Sequence, residues 1–490
     1  MSSATLLLWL HIAAVSACVI RVLYQQRNTG AAFAWLIILF VFPLFGVLAY
    51  LLIGEPRLGM ARAKRTAEMN RFYSRFAEQY LNAEHLDVER QIGRRYHGIS
   101  RVGAGSTGMG AARFNQMRLL SSTDEIIDSM LADIAAAEHS CLLAFYIIDP
   151  QGRSGEVLEA VAAAARRGVY CSILADAVGS RPFFRSGWPD RLREAGVAVK
   201  SALPVGFFRT LFTRSDLRNH RKLLIVDGEI GYTGSFNLVD PKFFKQHAGV
   251  GEWVDVMMRC TGPVVLEMAA VFFADVAVED DQSLSDTQAY LSGQNLLPEI
   301  LTRRPEDGGI VAQVIPSAPE QGERVIYNTI LCAVYNAEHS ITITTPYFVP
   351  DEPLLTALTS AARRGVDVTL VVPAKVDSLM VRYASRAHYP ALMAAGVKIA
   401  LFQGGLLHAK TAVFDRDYAL FGTVNMDMRS FFLNLEISLA VYDRKTASDI
   451  AALQEGYLKQ CRLVEPSRWQ QRARWWGLVE NAVRLVSPLL

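Results

Sequence analysis

Two stretches of this chain carry the same residue types at the same spacing. His220 to Asn237 reads HRKLLIVDGEIGYTGSFN, and His408 to Asn425 reads HAKTAVFDRDYALFGTVN. In each, Lys follows His by two residues, Asp by seven, Gly by fourteen and Asn by seventeen. One H-x-K triplet carries no information, but a whole set of residue types repeated at identical offsets does. An imidazole beside an ammonium suits a phosphate: the His attacks phosphorus or shuttles a proton while the Lys neutralises charge on oxygen.

These side chains need an element that aims them. The run from His220 to Val226 is rich in Leu, Ile and Val and closes on Asp227-Gly228, so it reads as a strand ending in a turn. Residues two apart on a strand share a face, which points His220 with Lys222 and His408 with Lys410. Asp227 has the opposite parity and sits at the turn, where it suits shaping the hairpin more than touching a substrate; Asp415 is its counterpart. The chain then returns to Gly234-Ser235-x-Asn237 and Gly422-Thr423-x-Asn425. Gly permits close backbone approach, and Ser235, Asn237, Thr423 and Asn425 are expected to donate hydrogen bonds to phosphate oxygens. Farther on, Asp255 and Glu436 lie in strand-like runs. A carboxylate accepting a hydrogen bond from one ring nitrogen would fix the tautomer of a His and leave its other nitrogen free. The plain alternative for both is an ordinary carboxylate at a strand end.

The two motifs resemble the paired H-x-K-x4-D motifs of the phospholipase D superfamily. Tyr347–Pro350 (YFVP), Gly404–His408 (GGLLH), Asn425–Phe431 (NMDMRSF), the apolar N-terminus and the ending Ser487-Pro488-Leu489-Leu490 resemble, more narrowly, the bacterial cardiolipin synthase family. The resemblance implies an α/β fold: duplicated phospholipase D-like domains with pseudo-twofold symmetry around one active site, preceded by an N-terminal two-helix transmembrane hairpin. It implies a catalytic set of His220, Lys222, Asp227, His408, Lys410 and Asp415, with Asp255 and Glu436 orienting the histidines. It makes His220 the nucleophile and His408 the acid, a ranking the residues themselves do not supply. The implied reaction is reversible phosphatidyl transfer between two phosphatidylglycerol molecules, giving cardiolipin and glycerol through a phosphatidyl-histidine. A hydrolytic phospholipase D or a phosphatidylserine synthase-type transferase would carry the same motifs. A non-catalytic membrane scaffold is the reading from a different class, and two intact motifs argue against it. Thr423 stands where the first half has Ser235, which keeps the hydroxyl. No cluster of Asp, Glu or Cys with ligand spacing accompanies the motifs, so neither metal nor other cofactor is expected.

Around the motifs the chain is an internal duplication. Ala164–Val169 and Ala361–Val366 both read AARRGV and feed strand-like runs, and Ala195-Gly196-Val197 matches Ala395-Gly396-Val397. The halves meet near residues 303–322, where Pro, Gly and charge cluster. Each half holds one motif His, and in-line displacement needs groups on both sides of phosphorus, so one shared cleft is favoured over two independent domains. The expected divisions are 1–56, transmembrane hairpin; 57–112, charged helical segment and Gly-rich linker; 113–302 and 303–466, the two halves; and 467–490, an interfacial amphipathic segment carrying Trp469, Trp475, Trp476 and several Arg.

The hairpin rests on two apolar runs, Ala4 to Leu23 and Phe33 to Ile53, each near the ~20 residues a bilayer crossing needs. A cleaved signal peptide is less suited, because a basic start is missing and a second apolar run follows. Arg57, Arg62, Lys64 and Arg65 beyond the second run place the bulk of the chain in the cytoplasm, beneath a bacterial inner membrane. Phe207 to Arg214 interleaves aromatic and Arg residues and reads either as a loop on the membrane surface or as half-buried core. The chain has 490 residues and a net charge of +2, which gives no signal for nucleic acid; phosphatidylglycerol and membrane lipids are the expected partners. Six scattered cysteines read as single thiols.

Overall fold

The computed structural model describes residues 3–24, 29–54, 62, 64–66, 68, 88, 92–204, 216–283, 285, 308–319 and 324–485. The Phe207–Arg214 segment, most of the charged stretch after Met60, and Ser487–Leu490 lie outside the described residues. The chain divides into two compact units, Met1–Ala63 with Val205–Leu217, and Lys64–Pro204 with Arg218–Leu490.

The first unit holds helices α1 (Ser3–Tyr24), α2 (Thr29–Val41) and α3 (Pro43–Ile53). They pack through Cys18, Val22, Trp35, Leu39 and Tyr50, with the Trp35 and Tyr50 rings edge to face at 5.3 Å. Two spanning helices were expected here. Among the described residues, no helix is long and apolar enough to cross a membrane. The run Phe33 to Ile53 is not one bent helix: it stops at Phe42 and restarts at Pro43, because proline lacks the N–H that would continue the ladder.

The second unit is built on one 15-stranded sheet. The first half supplies β1 (Ala112–Leu120), β2 (Ser140–Phe145), β3 (Tyr170–Asp176), β4 (Ala198–Ala202), β5 (Lys222–Val226), β6 (Ile230–Gly234) and β8 (Met257–Thr261), with a short β7 (Trp253–Val254) outside it. The second half supplies β9 (Ile310–Ser317), β10 (Ser340–Thr344), β12 (Asp367–Pro373), β13 (Lys398–Phe402), β15 (Thr411–Phe414), β16 (Tyr418–Gly422), β18 (Glu436–Val441) and β19 (Cys461–Leu463), with short β11 (Phe348–Val349), β14 (Leu406–Leu407) and β17 (Met426–Asp427). Outward from the centre the first half runs β1-β8-β6-β5-β2-β3-β4. The second runs β9-β18-β16-β15-β10-β12-β13, with β19 added at its edge. The halves join where β1 pairs antiparallel with β9. The region where they meet is therefore not all connector: residues 310–317 are a buried central strand.

The repeated sequence blocks have a physical reason. Arg167 caps the carbonyls of Ile134, Ala135 and Ala137 at the end of α5 (Thr123–Ala136), and Arg364 caps those of Val334, Tyr335 and Ala337 in the same way. The Gly-rich stretch from Gly98 to Gly110, expected as a flexible linker, is mostly the helix α4 (His97–Thr107). Ile99 anchors it in the core, and a Cβ at Gly103 would stand 2.6 Å from the Gln313 side chain, so this glycine is needed for contact with β9. The longer helices that follow are α6 (Arg153–Arg166), α7 (Pro263–Ala277), α8 (Val325–Asn336), α9 (Glu352–Arg363), α10 (Leu379–Ala394), which comes after β12, and α11 (Arg444–Leu458); the short α12 (Pro466–Gln470) and α13 (Arg474–Leu485) end the described chain. All six cysteines are free thiols.

Candidate active site

The strand β5 begins at Lys222, so His220 sits just before it, and β15 begins at Thr411, so His408 and Lys410 both sit just before it. All four side chains are buried. Each Lys Nζ donates to the carbonyl of its own motif's His, at 2.7 Å for Lys222 and 2.6 Å for Lys410. The ammonium groups are thereby held on the His side of their strands, as the two-residue parity requires.

Each imidazole is bonded by the carboxylate of the opposite half. His408 Nδ1 lies 2.7 Å from Asp255 Oδ1, and His220 Nδ1 lies 2.9 Å from Glu436 Oε2. Backbone pairing produces this exchange. The His220 N–H donates to the Leu435 carbonyl, one residue before Glu436; the His408 N–H donates to the Val254 carbonyl, one residue before Asp255. The short strands β7 and β14 pair in parallel across the halves, Leu406 with Trp253 and Leu407 with Val254. Gly405 makes that pairing possible: its φ of +127° is a glycine conformation, and a Cβ there would stand 2.4 Å from the Glu252 carbonyl.

Burial sets the charge states. Desolvation pulls both His220 and His408 down to about 4, outweighing the pull of their carboxylates, so both rings are neutral near pH 7. The charge of Lys410 also acts on His220 and that of Lys222 on His408, which places all these groups in one electrostatic cluster. Burial pushes Asp255 and Glu436 up, but the adjacent imidazole and lysine more than offset it and hold both below the ordinary carboxylate range. Lys222 falls to about 8 through desolvation, and Lys410 also lies well below its ordinary value. A neutral ring whose Nδ1–H donates to an ionised carboxylate has a free lone pair on Nε2.

Several expected site residues sit differently. Ser235 Oγ donates to Asp255 at 2.5 Å and Thr423 Oγ1 to Glu436 at 2.5 Å, and each also accepts a backbone N–H, from Val256 and Ile437. These hydroxyls are engaged with the carboxylates rather than offered to phosphate. Asp227 and Asp415 are at the far end of β5 and β15 from the imidazoles, about 20 Å away at ~3.3 Å per residue. Asp227 accepts the N–H groups of Glu138, His139 and Ser140; Asp415 accepts those of Glu338, His339 and Ser340. Both were expected among the catalytic groups; in the structure they clamp the hairpin to the edge of the neighbouring strand. Asn237 accepts from Ile147 N at 3.2 Å, which leaves its buried Nδ2 without a partner among the described residues; the buried Oδ1 of Asn425 is likewise unpartnered.

Other groups at the site escaped the sequence reading. The Tyr146 ring lies 4.9 Å from His220, and the Trp253 ring 4.3 Å from His408. Near His408, Tyr347 donates to Asp377 at 2.6 Å, and Lys245 of the first half reaches the same carboxylate at 3.1 Å. The counterpart of Trp253 beside Glu436 is Asn434, which donates to that carboxylate. The site is therefore twofold in its backbone and unequal in its walls. A signal for the clamp was present: AEHS occurs at both Ala137–Ser140 and Ala337–Ser340. Among the described residues, no group of three or more His, Cys, Asp or Glu is placed to hold a metal.

A twofold sheet with two buried H-x-K imidazoles, each bonded by the carboxylate of the other half, defines a phospholipase D-like protein. The fold is shared with the crystal structure of phosphatidylserine synthase from Haemophilus influenzae Rd KW20, at a TM-score of 0.60 over 80% of this chain and 100% of that one; the identity of 13% makes this a likeness of fold alone. The family described as "Cardiolipin synthase, PLD-like domain" matches residues 130–249 and 330–456, and a phospholipase D-nuclease N-terminal family matches 12–55. Cardiolipin synthase A of Erwinia tasmaniensis is 42% identical, covering 98% of this chain and 97% of its own length. Cardiolipin synthase A of Yersinia pseudotuberculosis is 40% identical over the same shares. The chain belongs to the cardiolipin synthase family of phospholipase D-like proteins.

Proposed function

We propose that this protein is a phosphatidyltransferase that makes cardiolipin and glycerol from two molecules of phosphatidylglycerol. The observation that carries the mechanism is the pair of crossed His–carboxylate bonds, which leaves one free ring nitrogen on each imidazole. His220 Nε2 attacks the phosphorus of the first phosphatidylglycerol. A P–N bond forms, the P–O bond to glycerol breaks, and His408 gives its proton to the departing oxygen. His408 then takes a proton from the glycerol hydroxyl of the second phosphatidylglycerol. That oxygen attacks phosphorus, a P–O bond forms, and the P–N bond to His220 breaks. Both rings are neutral in the free site, so His408 must take a proton from solvent as the lipid binds, where a phosphodiester anion beside the ring raises its proton affinity. Lys222, Lys410, Asn237 and Asn425 bind the non-bridging oxygens, the buried Nδ2 of Asn237 being an unpaired donor.

One phosphodiester replaces another, so no nucleotide is consumed. The rings of Tyr146 and Trp253 against the two imidazoles favour a lipid hydroxyl over water. The N-terminal helices are read as associating with the bacterial inner membrane, because Leu6, Trp9, Leu10, Phe33, Phe40 and Phe45 present exposed apolar side chains. The basic residues after the second apolar run put the catalytic region on the cytoplasmic side.

The test is product analysis with labelled phosphatidylglycerol. Cardiolipin and glycerol are expected in equal amounts, and phosphatidic acid without cardiolipin would overturn the reading. Turnover quenched in alkaline denaturant, in which the P–N bond survives, should leave label on the chain, and His220→Ala should abolish that label.

A further inference from the structure

We propose that α10, α12 and α13 form a face that docks on an anionic phospholipid bilayer, with a row of exposed apolar side chains entering the lipid and a cluster of arginines meeting its phosphates. The inference rests on the reading of the substrate as a membrane lipid and adds the surface by which the catalytic unit meets it.

Helix α13 lies along α10. Trp476 stacks on Tyr383 at 5.9 Å, and Glu480 and Arg484 act on Arg386 and His388 farther along. That contact uses one face of α13. The other leaves Trp475, Leu478 and Leu485 exposed, at spacings of three and seven that fall on one side of a helix. Leu379 and Met380 at the start of α10 are exposed as well. They sit two and three residues after Asp377, which bonds Tyr347 and feels the charge of His408. The apolar row thus begins beside the catalytic site.

The charges beside this row are cationic. Arg472 lies 3.8 Å from the Trp469 ring and Arg386 lies 6.0 Å from it. Burial and the charges of Arg382 and Arg472 hold Arg386 below its ordinary value. Among the described residues, Glu480 is the carboxylate that meets this cluster, through Arg472. Nε of Arg382 and Nη1 of Arg472 are buried with no partner among the described residues, and neither nitrogen of the buried His388 has one. Positive charge gathered against its own repulsion, with donors left over, calls for an anion. Trp and Leu side chains on the same helix call for a lipid surface, since indole and guanidinium both favour the bilayer interface. A core-packing role explains Trp469, Trp476 and Tyr389, and Trp475 stacks on Trp476 at 3.9 Å, but it leaves Leu478, Leu485 and about half of Trp475 uncovered.

The full chain reconstituted in vesicles of brominated phosphatidylglycerol, or of brominated phosphatidylcholine, tests this. Bromine quenches indoles that enter the lipid, and Trp475→Phe isolates the part due to Trp475. Quenching of that part is expected in phosphatidylglycerol and at least halved in phosphatidylcholine. Arg382→Gln with Arg386→Gln should lower the first value to the second. In unlabelled mixed micelles, Leu478→Glu with Leu485→Glu should raise the apparent KM for surface phosphatidylglycerol about tenfold and leave kcat unchanged. Equal quenching of the wild-type and Trp475→Phe chains in phosphatidylglycerol would overturn the proposal. So would a Trp475 emission shift that grows with protein concentration in lipid-free detergent and ignores vesicles, which would assign the face to a second copy of the chain. Quenching of Trp475 in a chain that makes no cardiolipin would support docking and refute the assigned reaction, so the two readings fail separately.

Discussion

Asp255, in the first half of the sheet, is bonded to the imidazole of His408 in the second at 2.7 Å. The reciprocal bond, Glu436 to His220, makes each half incomplete without the other. Asp255→Asn keeps the shape and removes the charge that fixes the His408 tautomer. By comparison with other His-orienting carboxylates, kcat should fall roughly 10³- to 10⁴-fold. Nitrogen NMR of the His408 ring should report a changed tautomer population, and activity within tenfold of wild type would exclude the orienting role.

The pH profile follows from the buried groups. His220, pulled down to about 4 by desolvation, loses its free lone pair only below that value, whereas His408, pulled down likewise, must take up a proton to act as the acid. Lys222, pulled down to about 8, loses its charge above that value. The kcat/KM profile should therefore fall below about 4 through His220, decline above it as His408 becomes harder to protonate, and decline more steeply along an alkaline limb above about 8. Lys222→Arg should move the alkaline limb upward. Stability has its own window: between the ordinary His value of 6.5 and about 4 the unfolded chain binds more protons, so the two histidines make urea stability fall as pH drops through that range.

Asp415 separates folding from chemistry. Asp415→Ala leaves the N–H groups of Glu338, His339 and Ser340 without their acceptor and should cost about 2–4 kcal/mol of stability in a denaturant titration. Asp227→Ala should behave alike. Turnover per folded molecule should stay within a few-fold of wild type, whereas a loss comparable to that of His408→Ala would return these residues to the catalytic set.

Glu267 lies on the helix Pro263–Ala277, buried, accepting one N–H from Val314 at 2.9 Å. Desolvation raises its carboxyl to about 8. The unfolded chain sheds that proton near the ordinary value of 4.5, so this group costs stability progressively as pH rises from there to about 8. Glu267→Gln should remove that slope and make the protein more stable at pH 8 than the wild type, with no change in kcat.

Much of this arrangement was legible because strands have a period of two. Parity put His220 with Lys222 and set Asp227 apart at the turn. The duplication was legible from AARRGV and the paired motifs, since each copy needs the same cap and the same hairpin. The exchange of Asp255 and Glu436 between halves was not, because it arises from β7 pairing with β14 far along the chain, and no local pattern encodes a partner's register. The bonds of Ser235 and Thr423 to carboxylates were not legible for the same reason: a hydroxyl suits phosphate and carboxylate equally, and the register of β6 with β8 and of β16 with β18 sets what it meets. Gly98 to Gly110 misled through composition, since burial of Ile99 and contact at Gly103 override weak helix propensity. Phe33 to Ile53 reads as one apolar run, and Pro43 within it starts a new helix.

The exchanged carboxylates also carry a history. A single ancestral half could have satisfied the same bonds by meeting an identical copy of itself, each subunit lending its acid to the other's imidazole. Joining two copies in one chain would keep that reciprocity and release the copies from having to be the same. Aspartate could then become glutamate, serine threonine and tryptophan asparagine on one side only, giving two lipids that enter as chemical equals two different seats.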